Sequence, residues 1–148
     1  ERIRCQTLQM EHALKAEREK GRDARALAWL RGRKVLFVMR SKKVVVGRET
    51  ECNRVDMDLS QEGLTNRVSR RHAVISLKRN CEFYILNIGM RAFDVNGRAV
   101  TPGKRRKLRN NDLISICDLA FSFEINTALH QKIQKQHRAG NKSTNRDT

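Results

Sequence analysis

From Leu27 onward the chain breaks into short runs rich in Val, Ile and Phe, interrupted by turn residues every eight to twelve positions. That rhythm suits strands of an antiparallel sandwich and leaves no room for long core helices. Runs at 27–30, 34–39, 43–46, 55–59, 72–77, 83–88, 92–95, 98–101, 112–117 and 120–125 satisfy it. Between the seventh and eighth lies Asn96-Gly97, the strongest short hairpin signal, because a type I′ turn needs positive φ at both central positions. In the run 72–77, Ala73, Ile75 and Leu77 share one face; in the last run, Phe121, Phe123 and Ile125 point inward and Ser122 and Glu124 outward. The expectation is an all-β sandwich of about ten or eleven strands.

The flanks differ in texture. Residues 1–25 are rich in Glu, Lys, Arg, Ala and Gln, with Ile3, Met10 and Leu14 at heptad-like spacing. They predict a helical extension, whose pattern ends within two heptads because Glu17 and Gly21 take the next positions. Docking on a partner and plain solvation of that helix both remain open. The folded unit is expected over 26–126, followed by a short helix over 127–136 and a disordered, basic, polar tail. Because the sequence opens on Glu1, a longer parent chain is expected.

A formal charge of +16, from 32 basic and 16 acidic residues, points to an anionic partner or acidic neighbour. The excess concentrates in residues 32–126, with 19 basic against 10 acidic. Lys104, Arg105, Arg106 and Lys107 form the densest patch; after Pro102-Gly103 they read as a solvated turn, with nuclear localisation or nucleic-acid contact as alternatives. Base-stacking aromatics are scarce: Trp29, Tyr84 and five Phe, most of them in core-facing runs. The patch therefore supports at most weak nucleic-acid binding. Cys5, Cys52, Cys81 and Cys117 form no CxxC pair and the histidines fall at no metal-site spacing, so reduced thiols in an intracellular protein are expected, without metal or cofactor. A membrane partner is not expected, since no run of about eighteen apolar residues occurs. Asp56 and Asp58 share a strand face, where exposed acids are commoner than a cation site. With no nucleophile–base spacing and no Gly-rich nucleotide loop, an enzyme finds no support.

Two positively charged loop segments stand out. Gly47-Arg48 follows one predicted strand, and Ser69-Arg70-Arg71-His72 leads into another about twenty residues later. A guanidinium fork matches phosphate oxygens bidentately, and a serine hydroxyl with a second cation fills the remaining acceptors. GR, then SRxH, then Val95-Asn96-Gly97 resembles the forkhead-associated (FHA) domain, a β-sandwich that reads phosphothreonine in partner proteins. The resemblance implies that Arg48 grips the phosphate, that Ser69 donates its hydroxyl and that Arg70 is the flanking cation. Gly47, His72, Asn96 and Gly97 would then brace the loops. One departure is visible: where many family members place Asn-Gly-Thr before the last hairpin, this chain has Gly89, Met90, Arg91, Ala92 and Phe93. Arg91 has five donors and no acceptor, so it cannot hold a peptide amide as asparagine does. A changed preference, favouring acidic residues near the phosphate, or a binding surface of another kind follows.

A narrower resemblance spans residues 25–126. The stretches ALAWLRGRKVLFVMRSKKVVVGRE, VDMDLSQEG, VSRRHAVISLK and AFSFEIN, in that order, resemble the microspherule protein family. That resemblance implies a nuclear scaffold subunit of chromatin complexes, including the non-specific-lethal histone acetyltransferase assembly and remodellers, with nucleolar and centrosomal or spindle-pole roles. Three functions compete: a non-catalytic phosphopeptide-reading adaptor, a basic nucleic-acid-binding module, and a constitutive scaffold whose phosphate site is degenerate.

Overall fold

The computed structural model describes residues 25–146, with side chains through residue 136. Eleven strands follow in chain order: β1 (Ala28–Arg31), β2 (Leu36–Met39), β3 (Lys43–Gly47), β4 (Met57–Asp58), β5 (Ala73–Leu77), β6 (Phe83–Asn87), β7 (Phe93–Val95), β8 (Arg98–Val100), β9 (Arg105–Leu108), β10 (Asp112–Ile116) and β11 (Leu119–Ile125). A 3-10 turn at Leu59–Gln61 follows β4, and helix α1 (Thr127–Arg146) follows β11. The strands form a six-stranded sheet in the order β2-β1-β11-β10-β7-β8 and a five-stranded sheet in the order β4-β3-β5-β6-β9.

Alternation makes the two sheets a sandwich. Ala73, Ile75 and Leu77 of β5 and Phe83 and Ile85 of β6 are buried, facing Phe121 and Phe123 of β11. Phe83 and Phe123 meet edge-to-face with ring centroids 5.3 Å apart, an arrangement that favours aromatic pairs beyond their burial. Asn126 closes the domain. Its Nδ2 donates to the carbonyl of Ala26 at 2.9 Å, while its Oδ1 accepts from the amide of Leu129 at 3.3 Å and so caps α1. His130, one turn on, reaches the carbonyl of Cys81 and packs on the Phe83 ring, fixing the helix to the sandwich.

Several expectations change in detail. Pairing is antiparallel except between β3 and β4, which run parallel through Val46 and Met57. The predicted run 55–59 shrinks to two residues because the 3-10 turn begins at Leu59, with Asp58 as its cap. Lys104, Arg105, Arg106 and Lys107 do not form a turn: Arg105, Arg106 and Lys107 belong to β9, paired with β6 through Tyr84, Ile85 and Leu86. Such charge is expected at a sheet edge, where it discourages pairing with a second chain. Helix α1 runs to Arg146, beyond the short helix expected, and replaces the disordered tail over that length. Its residues include Ala, Gln and Lys, good helix formers without a proline, so low hydrophobicity alone was a poor guide. The expected N-terminal helix, with Ile3, Met10 and Leu14, lies outside the described residues apart from Arg25.

Topology fixes one rim. Because β5 is antiparallel to both β3 and β6, the end of β3, the start of β5 and the end of β6 share one edge of the sandwich, and β7 starts from the last of these. Gly47-Arg48, Ser69 to His72 and residues 88–92 are the connections at that edge.

Candidate functional site

The first two loops are joined through backbone. The amide of Arg48 is shared between the carbonyls of Ser69, 3.2 Å, and Arg70, 3.1 Å, and the His72 amide donates to Val46. Gly47 is required by this approach: a Cβ there would lie 2.2 Å from the Arg70 carbonyl oxygen. Asn53 adds a second tie, donating from Nδ2 to Arg70 O at 3.2 Å and accepting from Arg71 Nε at 3.2 Å.

The third loop is bound to the second. The amide of Met90 donates to Ser69 Oγ at 3.0 Å. A hydroxyl that accepts there still has its own proton to donate. Gly89 sits so close to this corner that a Cβ would lie 2.6 Å from His72 Cδ2 and 2.9 Å from Ser69 Oγ. His72 itself is fully buried. Its Nδ1 accepts from the Ser69 amide at 3.1 Å, so the proton is on Nε2, which donates to the Arg91 carbonyl at 2.8 Å. One ring thus spans both loops.

Burial lowers the His72 pKa, and the hydrogen bond to Arg91 offsets only part of that effect. The neutral ring is the folded form. For a base whose folded pKa lies below its unfolded 6.5, the unfolded chain takes up the proton first. Stability is therefore expected to be full above pH 6.5 and to fall as pH drops below it toward the folded value; thermal midpoints of parent and His72→Gln between pH 7.5 and 5 check this, the variant giving the flatter profile.

Further braces were not foreseen from sequence. Asn87, fully buried at the end of β6, donates from Nδ2 to Arg91 O at 2.9 Å and Val100 O at 2.8 Å, and accepts at Oδ1 from the Gly89 amide at 2.9 Å. It shapes residues 89–91 from beneath. Asp58 accepts at Oδ1 from the Glu49 amide at 3.1 Å and from Ser60. Burial opposes its charge, but the bonds from the Ser60 hydroxyl and the Glu49 and Ser60 amides outweigh it and hold the carboxyl below its usual range. Asp56 accepts from the Val45 amide at 2.7 Å. The two carboxylates are backbone clasps for β3 and the Arg48 loop, and among the described residues no acidic, His or Cys cluster could hold a metal ion. A buried polar residue ending a strand, and acids beside and within a two-residue strand, carry no sequence signal of that role.

Arg48, Ser69, Arg70 and Arg91 therefore converge on one rim. Arg48 and Ser69 are half-buried, while Arg70 and Arg91 are exposed. Arg48 Nε is buried with no hydrogen-bond partner, and so is Thr50 Oγ1 two residues on. Asn96 and Gly97 lie elsewhere. With φ of 53° and 79° they make the expected turn, but at the far end of β7 from this rim. Asn96 there accepts from the Leu113 amide and donates to Asp112, bracing the hairpin against β10 rather than the rim loops. In the β9 patch, Lys107 pairs with Glu82 at 2.8 Å, and the Arg105 guanidinium lies 5.1 Å over the Tyr84 ring.

The tied loops thus gather the Arg48 guanidinium, the Ser69 hydroxyl and two further arginines at one rim of the sandwich, groups whose chemistry suits an anion. The family model described as FHA domain matches residues 44–117, half of the chain. The chain belongs to the FHA family. Among solved structures, similar ones include the N-terminal FHA domain of S. cerevisiae Rad53p in complex with a phosphothreonine peptide (18% identity, 71% of this chain and 98% of that one, TM-score 0.61). Others are Mycobacterium tuberculosis EmbR in complex with a low-affinity phosphopeptide (24% identity, 68% of this chain, 24% of that one, TM-score 0.57) and an FHA domain from Chlamydia trachomatis (19%, 67% and 97%, TM-score 0.55). The chain spans about a quarter of the mycobacterial protein.

Proposed function

We propose that this domain is a non-catalytic adaptor that binds a phosphothreonine-containing segment of a partner protein at the rim formed by Arg48, Ser69, Arg70 and Arg91. The observation that carries the reading is the joint geometry of Arg48 and Ser69. Loops held by backbone hydrogen bonds bring them to one edge, where Arg48 is half-buried with no partner at Nε and Ser69 Oγ accepts from Met90 and keeps its proton to donate. A phosphate carries about −1.5 to −2 charge and three strong acceptors, which suits that complement. Family membership, and relatives whose complexes contain phosphothreonine peptides, add weight. The resemblance of residues 25–126 to the microspherule proteins favours a nuclear setting, with partners among the subunits of chromatin-modifying complexes.

The test is a titration with one peptide in phosphothreonine, phosphoserine and unmodified forms, taken from an oriented library, alongside duplex DNA at two salt concentrations. Saturable binding of the phosphothreonine form, at least tenfold over the unmodified one, is expected. Equal binding of modified and unmodified peptide would favour a constitutive scaffold, and steeply salt-dependent DNA binding that exceeds peptide binding would favour the nucleic-acid module.

A further inference from the structure

We infer that the outer face of the five-stranded sheet, beginning at the rim, is a second recognition strip for the same phosphorylated segment, taking residues beside the phosphothreonine that are apolar at alternate positions with an acidic one among them. The inference rests on the phosphate reading above and extends it. Among the described residues five large apolar side chains are exposed, and three of them recur every second residue: Leu86 at 36%, Ile88 at 43% and Met90 at 87%. The other two, Leu64 and Leu113, belong to a separate loop and to the other sheet. Apolar residues scattered singly need no explanation, but a contiguous row does.

The row continues sideways. Pairing places Val45 beside Val74, Val74 beside Leu86, and Leu86 beside Arg105; Val45 is half-buried and Val74 buried, so they back the exposed Leu86, which lies next to a cation on β9. Past the end of β6 the row continues into the loop at the rim, where the Ile88 amide bonds His72 O and the Met90 amide bonds Ser69 Oγ. An extended peptide held at the rim by its phosphate has the same two-residue repeat, roughly 6.5–7 Å, as the side chains beneath it. Arg105 and Arg91, on a chain of net charge +16, fit an acid in that segment. Arg105 stacks on Tyr84, which orients its charge without neutralising it.

The experiment is an oriented library with fixed phosphothreonine and degenerate flanks, presented to the parent chain, to the Leu86→Ser/Ile88→Ser double variant and to Arg48→Ala. The parent should enrich Leu, Ile, Val or Met roughly fivefold at alternate positions on one side of the phosphothreonine, about what burying one or two methylenes gives. The double variant should lose that enrichment and keep its discrimination between phosphorylated and unmodified libraries. Flat flanking preferences in the parent, or enrichment unchanged in the double variant, overturn the strip while leaving the clamp intact. Loss of phosphate dependence in the parent itself overturns the clamp and the strip together.

Discussion

Arg48→Ala is expected to lower affinity for a phosphothreonine peptide by about 2 to 5 kcal/mol, the range for deleting one partner of a desolvated charge pair, which is roughly thirtyfold or more. Thermal stability should hardly change. No hydrogen bond from the Arg48 side chain to another described residue is made, and its Nε is buried unpaired, so truncation removes a cost as well as a charge. The neighbouring amide, which ties the two loops, stays. Arg48→Lys should fall between, because an ammonium keeps the charge but not the planar fork. Calorimetric titration with matched thermal scans checks this, and an Arg48→Ala protein that binds like the parent would remove Arg48 from the site.

Asn87→Ala should produce the largest loss of stability of any single polar substitution at the rim. The side chain is fully buried and makes three hydrogen bonds, to Arg91 O, Val100 O and the Gly89 amide. Arg91 O keeps its bond from His72, but each partner left unsatisfied costs about 1–3 kcal/mol, and water entering the vacated space recovers part, so a net loss of about 2–4 kcal/mol is expected. For a domain near 100 residues that is roughly 10–20 °C in melting temperature. Binding should weaken too, at temperatures where the variant is folded, because residues 89–91 lose the brace that presents Met90 to Ser69. Differential scanning calorimetry decides it: a midpoint shift of only a few degrees would show that the loop is held by His72 alone.

The sandwich was legible because its strands alternate and its turns announce themselves. Asn96-Gly97 adopts the positive φ values its sequence predicts. The β10–β11 hairpin does the same through Cys117 and Asp118, at φ of 46° and 71°, where no turn dipeptide marks it. Strand β9 was illegible for an opposite reason: its edge position lets Arg105 and Lys107 stay in water, so composition imitates a basic loop. That the loops of Arg48, of Ser69 to His72 and of Arg91 share one rim could be read from strand order, since chain order survives in sequence. Asn87, Asn53 and Asp58 could not. They act through main-chain atoms brought near by folding, and an amide or carboxylate clasping backbone has no preferred neighbours in sequence. The same holds for Glu62, whose buried carboxylate accepts from the amides of Arg33, Lys34 and Val35. Asn96 and Gly97 show the reverse error, since a motif element shared with a family's binding loops here supports only its own hairpin.

Amide-resolved NMR titration with a short phosphothreonine peptide probes the shared rim most directly. The largest shifts should fall on the amides of Arg48, Ser69, Arg70 and Met90, with those of Asn96 and Gly97 at the far end of β7 nearly still. Shifts concentrated on β9 or at the Asn96-Gly97 turn, with Arg48 and Ser69 unmoved, would contradict it.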